Sequence, residues 1–144
     1  MVSNFWLWQF LGRLHPLIVH FPIGLLVIAL LLEFLTARRK SHELRGAINI
    51  LLIVGACSAL LAVAFGWLLE EQEQYSGEVL TIHKWSGIAT AALAIVTVLI
   101  HRKIFLENRL HLLRTYRAVL AFTVAGVSVA GHFGASLTHG QDFL

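Results

Sequence analysis

Residues 46–69 read GAINILLIVGACSALLAVAFGWLL, a run without a single Asp, Glu, Lys or Arg. A helix crosses the roughly 30 Å of bilayer hydrocarbon in ~20 residues, and this run is longer than that. Ala118 to Thr138 forms a second uncharged run. Two more, Leu14 to Ala37 and Ile82 to Ile100, carry one charge each, close to an end. Glu33 lies one turn from the end of the first, and Lys84 opens the second. The chain therefore reads as a polytopic membrane protein with four spans, expected at residues 16–37, 47–69, 81–102 and 115–137 of one transmembrane domain covering 1–144.

Composition supports that class. Of 144 residues, 58% are hydrophobic and 13% charged, with a mean hydropathy of +0.77, whereas soluble domains carry about a quarter charged residues. The charges that remain are sorted by connection. Arg38, Arg39, Lys40 and Arg45 fill one, and Arg102, Lys103, Arg109, Arg114 and Arg117 fill another. Between them lies an acidic connection with Glu70, Glu71, Glu73 and Glu78. Basic loops are retained in the cytoplasm. The expectation is a multi-pass protein of a bacterial inner (cytoplasmic) membrane with both termini on the outer, periplasmic side. The same sorting accounts for the basic pI of about 9.5 without nucleic acid as a partner.

Short connections imply an all-α, up-down-up-down four-helix bundle in the bilayer. Gly55 with Ala59 and Ala62 with Gly66 are small-residue pairs that let helices approach closely. The aromatic segment SNFWLWQFLGRLH (3–15) suits the interface, and without a basic n-region or cleavage site no removed signal peptide is expected. Pro16 is compatible with a helix's first turn, while Pro22 is expected to loosen the first span. Cys57 is the lone cysteine, so no disulfide framework is expected. C-x-x-C-H is absent, which removes c-type haem attachment.

On this topology His15, His20, His83, His132 and His139 gather at the outer end, from three spans. His42, His101 and His111 fall at the inner end among Arg and Lys. Any one of the outer five is accounted for by an interfacial position or a bond to a carbonyl. Five at one depth favour a shared ligand, and neutral imidazole is a common ligand of metals and haem iron. Gly24 follows His20 by four residues and Gly87 follows His83 by four, so each histidine has bare backbone one turn deeper on its own face. A flat macrocycle needs such clearance, although helix packing alone also uses glycine. Below His132 the same face carries Ser128 and Ala125.

Several pairings are open. His20 with His83 across diagonal helices would hold one haem, with His132 and either His15 or His139 holding a second. A single haem using His132 fits the spacing almost as well. His132 and His139 lie two turns apart, about 10.5 Å along the axis, too far to share one iron. Arg13 and Lys84 are candidates to meet haem propionates, though such residues commonly just snorkel. Glu33 is expected to snorkel too. His101, five turns from His83 and about 27 Å away, has no intramembrane partner histidine and is not expected to be a ligand. There is no Ser-His-Asp grouping, Gly-rich phosphate loop or carboxylate pair.

The segments LHPLIVHFPIGLL (14–26), HKWSGIA (83–89) and GHFGASLTHGQDFL (131–144) resemble a family of small predicted membrane proteins known as domain of unknown function 2231. The resemblance covers nearly the whole chain, and its motifs contain the histidines. Some relatives carry this domain joined to a planctomycete-type c-type cytochrome, with a G-S-L-T-H-G tail just before it. Ala135 stands here where those relatives tend to have glycine. The resemblance implies a redox neighbourhood, with any cytochrome on a separate polypeptide.

The reading favoured by these residues is a membrane protein with one or two b-type haems, an electron-transfer subunit rather than a stand-alone enzyme. It would pass electrons between a membrane donor or the quinone pool and an extracytoplasmic c-type cytochrome, alone or in a homo- or hetero-oligomer. Copper or zinc at the same histidines is the alternative. A redox-inert anchor or assembly subunit of a cytochrome complex is the third reading.

Overall fold

The structure, a computed structural model, describes residues 5–39, 42–72 and 76–139. Its helices are α1 (Phe5–Arg13), α2 (His15–Ile18), α3 (His20–Arg39), α4 (His42–Gln72), α5 (Glu78–Leu106) and α6 (Leu113–His139), with a 3-10 turn at Leu110–Leu112. Among the described residues four stretches are long and apolar enough to cross a membrane: Trp6–Thr36, Leu44–Gln72, Glu78–Leu106 and Leu110–Thr138.

The first stretch is one helix interrupted twice. Leu14 and Val19 mark the breaks but keep right-handed helical dihedrals, and bonds such as Ile18 N to Leu14 O at 2.9 Å carry the chain across. Pro16 sits in the first turn of α2, where its missing N–H is harmless. Pro22 removes the donor that would have paired with the Ile18 carbonyl. Beside it, the Ile23 N to Val19 O bond stretches to 3.4 Å. The expected loosening therefore falls between His15 and Ile23 and sets where both histidines point.

The four long helices form a closed ring: α3 packs on α4, α4 on α5, α5 on α6 and α6 on α3, with α3 opposite α5 and α4 opposite α6. Successive helices are antiparallel. Lys84 at the start of α5 pairs with Glu70 at the end of α4, and Glu33 late in α3 pairs with Arg117 early in α6. Leu26, Ala29, Ile48, Leu52, Ala94 and Leu120 are fully buried along the axis. Large apolar side chains such as Leu31, Ile50, Leu99 and Phe122 face outward, as a surface against hydrocarbon requires. Close approach comes from glycine: a methyl at Gly126 would lie 2.5 Å from Thr90 Oγ1, and one at Gly55 3.0 Å from Leu26. After α5, Asn108 adopts φ of 54° and ends the helix in the left-handed conformation that Asn tolerates.

The bundle is one helical hairpin used twice. Positions of the first half recur 68 residues later with the same burial: Leu26 and Ala94, Ala29 and Thr97, Glu33 and His101, Ile48 and Tyr116, Leu52 and Leu120. α3–α4 and α5–α6 are the two hairpins, so a pseudo-twofold axis runs along the bundle centre.

Candidate functional site

At one end of that axis two histidines occupy equivalent places. His15 Nδ1 donates to the Ala62 carbonyl at 2.8 Å, and His83 Nδ1 donates to the Ala130 carbonyl at 2.9 Å. Both bonds join residues 47 apart in sequence. Each ring brings its Cε1 side close to a glycine: a methyl at Gly66 would meet His15 Cε1 at 3.0 Å, and one at Gly134 would meet His83 Cε1 at 2.9 Å. The two rings approach each other across the axis, centroids 6.0 Å apart and planes crossed at 80°.

Chemistry follows from the tautomer. A ring nitrogen facing a carbonyl must carry the proton, which leaves the lone pair of a neutral imidazole on Nε2. Metal-bound histidines almost always donate their other N–H to a carbonyl or carboxylate in this way. Each ring is thus held in the tautomer that leaves Nε2 able to accept a proton or a metal. A haem iron takes four donors from its macrocycle and needs only two from protein, which is the donor set present here.

The other candidates are placed differently. His20 is exposed, its Nδ1 donating to the Pro16 carbonyl at 2.6 Å. His132 is exposed, its ring edge-on to Phe133 at 5.4 Å. The side chain of His139 lies outside the described residues. Gly24 and Gly87 both border open space, with no atom within 4 Å of where a Cβ would sit. Arg13 is exposed at the end of α1. Lys84 is held by both oxygens of Glu70, at 2.9 and 2.8 Å. The structure brings together His15 and His83, not His20 and His83.

The opposite end of the axis is polar as well. Glu33 does not snorkel: it is 3% exposed and accepts from Arg117 Nε at 2.9 Å. The Tyr116 hydroxyl approaches Glu33 without closing a hydrogen bond. The His101 ring lies 4.4 Å from Phe105 and 5.3 Å from Tyr116, and its Nε2 has no hydrogen-bond partner among the described residues. Arg45 covers the other ring of this group, 4.7 Å from the Phe105 centroid.

A family model described as predicted membrane protein, DUF2231, matches residues 13–142. The chain belongs to the DUF2231 family. The match takes in the first span from Arg13 onward, the other three spans whole and every histidine of the outer set, so the paired half-sites lie within the family domain. No curated protein and no solved structure is detectably similar to this DUF2231 chain.

Sequence reading took Ala62 and Gly66 as a helix-packing pair and missed Ala130 and Gly134, so the backbone half of the site went unseen. A comparison of the chain with itself at a 68-residue shift carries the signal. His15, Ala62, Phe65, Gly66 and Leu69 reappear unchanged as His83, Ala130, Phe133, Gly134 and Leu137.

Proposed function

We propose that this DUF2231 protein is a b-type haem electron-transfer protein of a bacterial inner membrane, in which His15 and His83 would hold the haem. The observation that carries the reading is the twinned half-site: two imidazoles on the pseudo-twofold axis, each fixed through Nδ1, 6.0 Å apart. A bound haem supplies one-electron iron chemistry, and the protein supplies binding, orientation and electrostatics. The Ala62 and Ala130 carbonyls hold the rings and raise the basicity of Nε2. Gly66 and Gly134 let each ring reach its carbonyl. The basic connections support a periplasmic position for this end of the bundle, and the proposed partners are an extracytoplasmic c-type cytochrome on one side of the transfer and a membrane donor or quinone on the other.

The test is a dithionite-reduced minus oxidised spectrum of the detergent-purified protein, with haem content from pyridine haemochrome. Sharp low-spin b-type bands that vanish in His15→Ala and in His83→Ala support the reading. Stoichiometric copper or zinc without a Soret band, in cells replete with haem, transfers the site to a bare metal ion.

A further inference from the structure

Glu33 and His101 stand 68 residues apart, as His15 and His83 do, and each lies eighteen residues further along the same span than its histidine, about 27 Å. The repeated hairpin therefore sets a second pair of related positions at the other end of the axis. Here the two residues differ, one an acid and the other a base, and both are 3% exposed. The neighbouring positions repeat the contrast. Tyr116 and Arg117 of α6 take the places that Ile48 and Asn49 hold on α4, and Ile48 is fully buried with no polar atom in its side chain. Packing of the hairpin does not call for ionisable groups here. Inside spans such groups are costly, and chains of them mark proton relays.

Every long helix brings a charged or titratable group to this place: Glu33 from α3, Arg45 from α4, His101 from α5, and Tyr116 with Arg117 from α6. The two arginines are engaged, Arg117 with Glu33 at 2.9 Å and Arg45 over the Phe105 ring at 4.7 Å. His101 and Tyr116 are in ring contact at 5.3 Å. Yet neither the His101 Nε2 nor the Tyr116 hydroxyl has a hydrogen-bond partner among the described residues. A buried polar atom left unpaired costs about 1–3 kcal/mol, and an ordered water with about two to four polar neighbours is the usual remedy. Such neighbours meet here: the imidazole nitrogen, the hydroxyl, and the Glu33 carboxylate that the hydroxyl approaches. Arginine keeps its proton in proteins, which leaves His101, Tyr116 and Glu33 as the groups able to pass one on.

We infer that Glu33, Tyr116 and His101 form a proton-exchange site, with one water held between the His101 Nε2 and the Tyr116 hydroxyl. A proton taken up by His101 from the aqueous side leaves from Nε2 to the water. The water gives one of its own to the Tyr116 oxygen as Tyr116 gives its hydroxyl proton to the Glu33 carboxylate. Imidazole, water and phenol end as they began, and the net change is one proton on Glu33, whose hold on Arg117 then weakens. No electron moves, so the inference does not depend on haem at His15 and His83.

The experiment follows the carboxylic-acid C=O stretch of the detergent-purified full chain by infrared spectroscopy as the pH is lowered, then its shift after mixing into D2O. A band that Glu33→Gln removes belongs to Glu33. It is expected to shift at once in wild type. In Tyr116→Phe, His101→Phe and His101→Gln it is expected to shift on the order of a hundredfold more slowly, the scale on which a positioned proton carrier speeds transfer. Glutamine keeps a hydrogen-bonding side chain but carries no proton, so exchange at the wild-type rate in His101→Gln reduces His101 to a structural role and overturns the site. No band assignable to Glu33, or equal exchange in every folded variant, overturns it too. Thermal melting shows which variants are folded, and Tyr116→Phe, which loses one oxygen and keeps the buried ring, carries the test should both His101 variants fail to fold.

Discussion

His15 and His83 make the same bond in two successive hairpins, one to Ala62 at 2.8 Å and the other to Ala130 at 2.9 Å. Their rings then meet on the axis that relates the hairpins. Twofold repetition explains how one short chain builds a site from diagonal helices. A single solution for seating an imidazole against a neighbouring helix, used twice, delivers two matched donors to one point.

The glycines under the rings give the first prediction. Gly66→Ala and Gly134→Ala place a methyl 3.0 and 2.9 Å from ring carbons that hydrogen bonds hold in place. Overpacking of this kind costs about 1–3 kcal/mol. Each variant is expected to melt at lower temperature in detergent, whereas Gly46→Ala, which meets nothing within 4 Å, leaves the melting curve in place. Equal curves for all three would show that the rings move aside freely.

The spans were legible because hydrocarbon excludes charge, and two runs without Asp, Glu, Lys or Arg need no tertiary information. The gathering of histidines at one end followed from the same topology. Their pairing did not, because His15 and His20 are five residues apart across an interrupted helix, and a rotation there decides which one faces the axis. Glu33 was unreadable for another reason. Its position near a helix end suggested snorkelling, but its partner Arg117 lies 84 residues away, and only the ring of helices brings the two together.

That ion pair is asymmetric, and its mutants are expected to be so too. Glu33 is 3% exposed at its side chain and Arg117 38%. Removing the arginine strands a buried carboxylate, a change that typically costs 3–5 kcal/mol. Removing the carboxylate leaves a long cation able to reach toward headgroups. Arg117→Gln should therefore lower the melting temperature more than Glu33→Gln, and the double variant should recover part of the loss. A larger effect for Glu33→Gln would mean that the carboxylate serves the neighbouring Tyr116 and His101 more than the arginine.

The α5–α6 interface offers a test of packing. Thr90 donates to Ser86 O at 2.7 Å and its Oγ1 fills the space above Gly126. Gly126→Ala forces that hydroxyl out of its rotamer. Thr90→Ala alone removes one hydroxyl and one methyl from a buried place. Neighbours of this kind couple by 0.5–3 kcal/mol, so Gly126→Ala is expected to be strongly destabilising alone and much less so combined with Thr90→Ala. Additive losses in thermal unfolding would place the strain elsewhere, in the α6 backbone itself.

Sidedness is open to direct chemical test, because the sole cysteine, Cys57, lies within the span Leu44–Gln72 and its replacement by serine leaves a cysteine-free background. Ser76, exposed before α5, and Arg109, exposed between α5 and α6, lie at opposite ends of the bundle. Basic connections stay in the cytoplasm, so the expectation is Arg109 inside and Ser76 outside. In intact spheroplasts a membrane-impermeant maleimide is expected to label Ser76→Cys at once, and Arg109→Cys only after lysis. The His15–His83 end shares its face with Ser76, since His83 lies about one and a half turns into α5 from that connection. The opposite labelling pattern would turn the paired imidazoles toward the cytoplasm and remove a periplasmic cytochrome as their partner, while leaving their geometry and their ligand chemistry untouched.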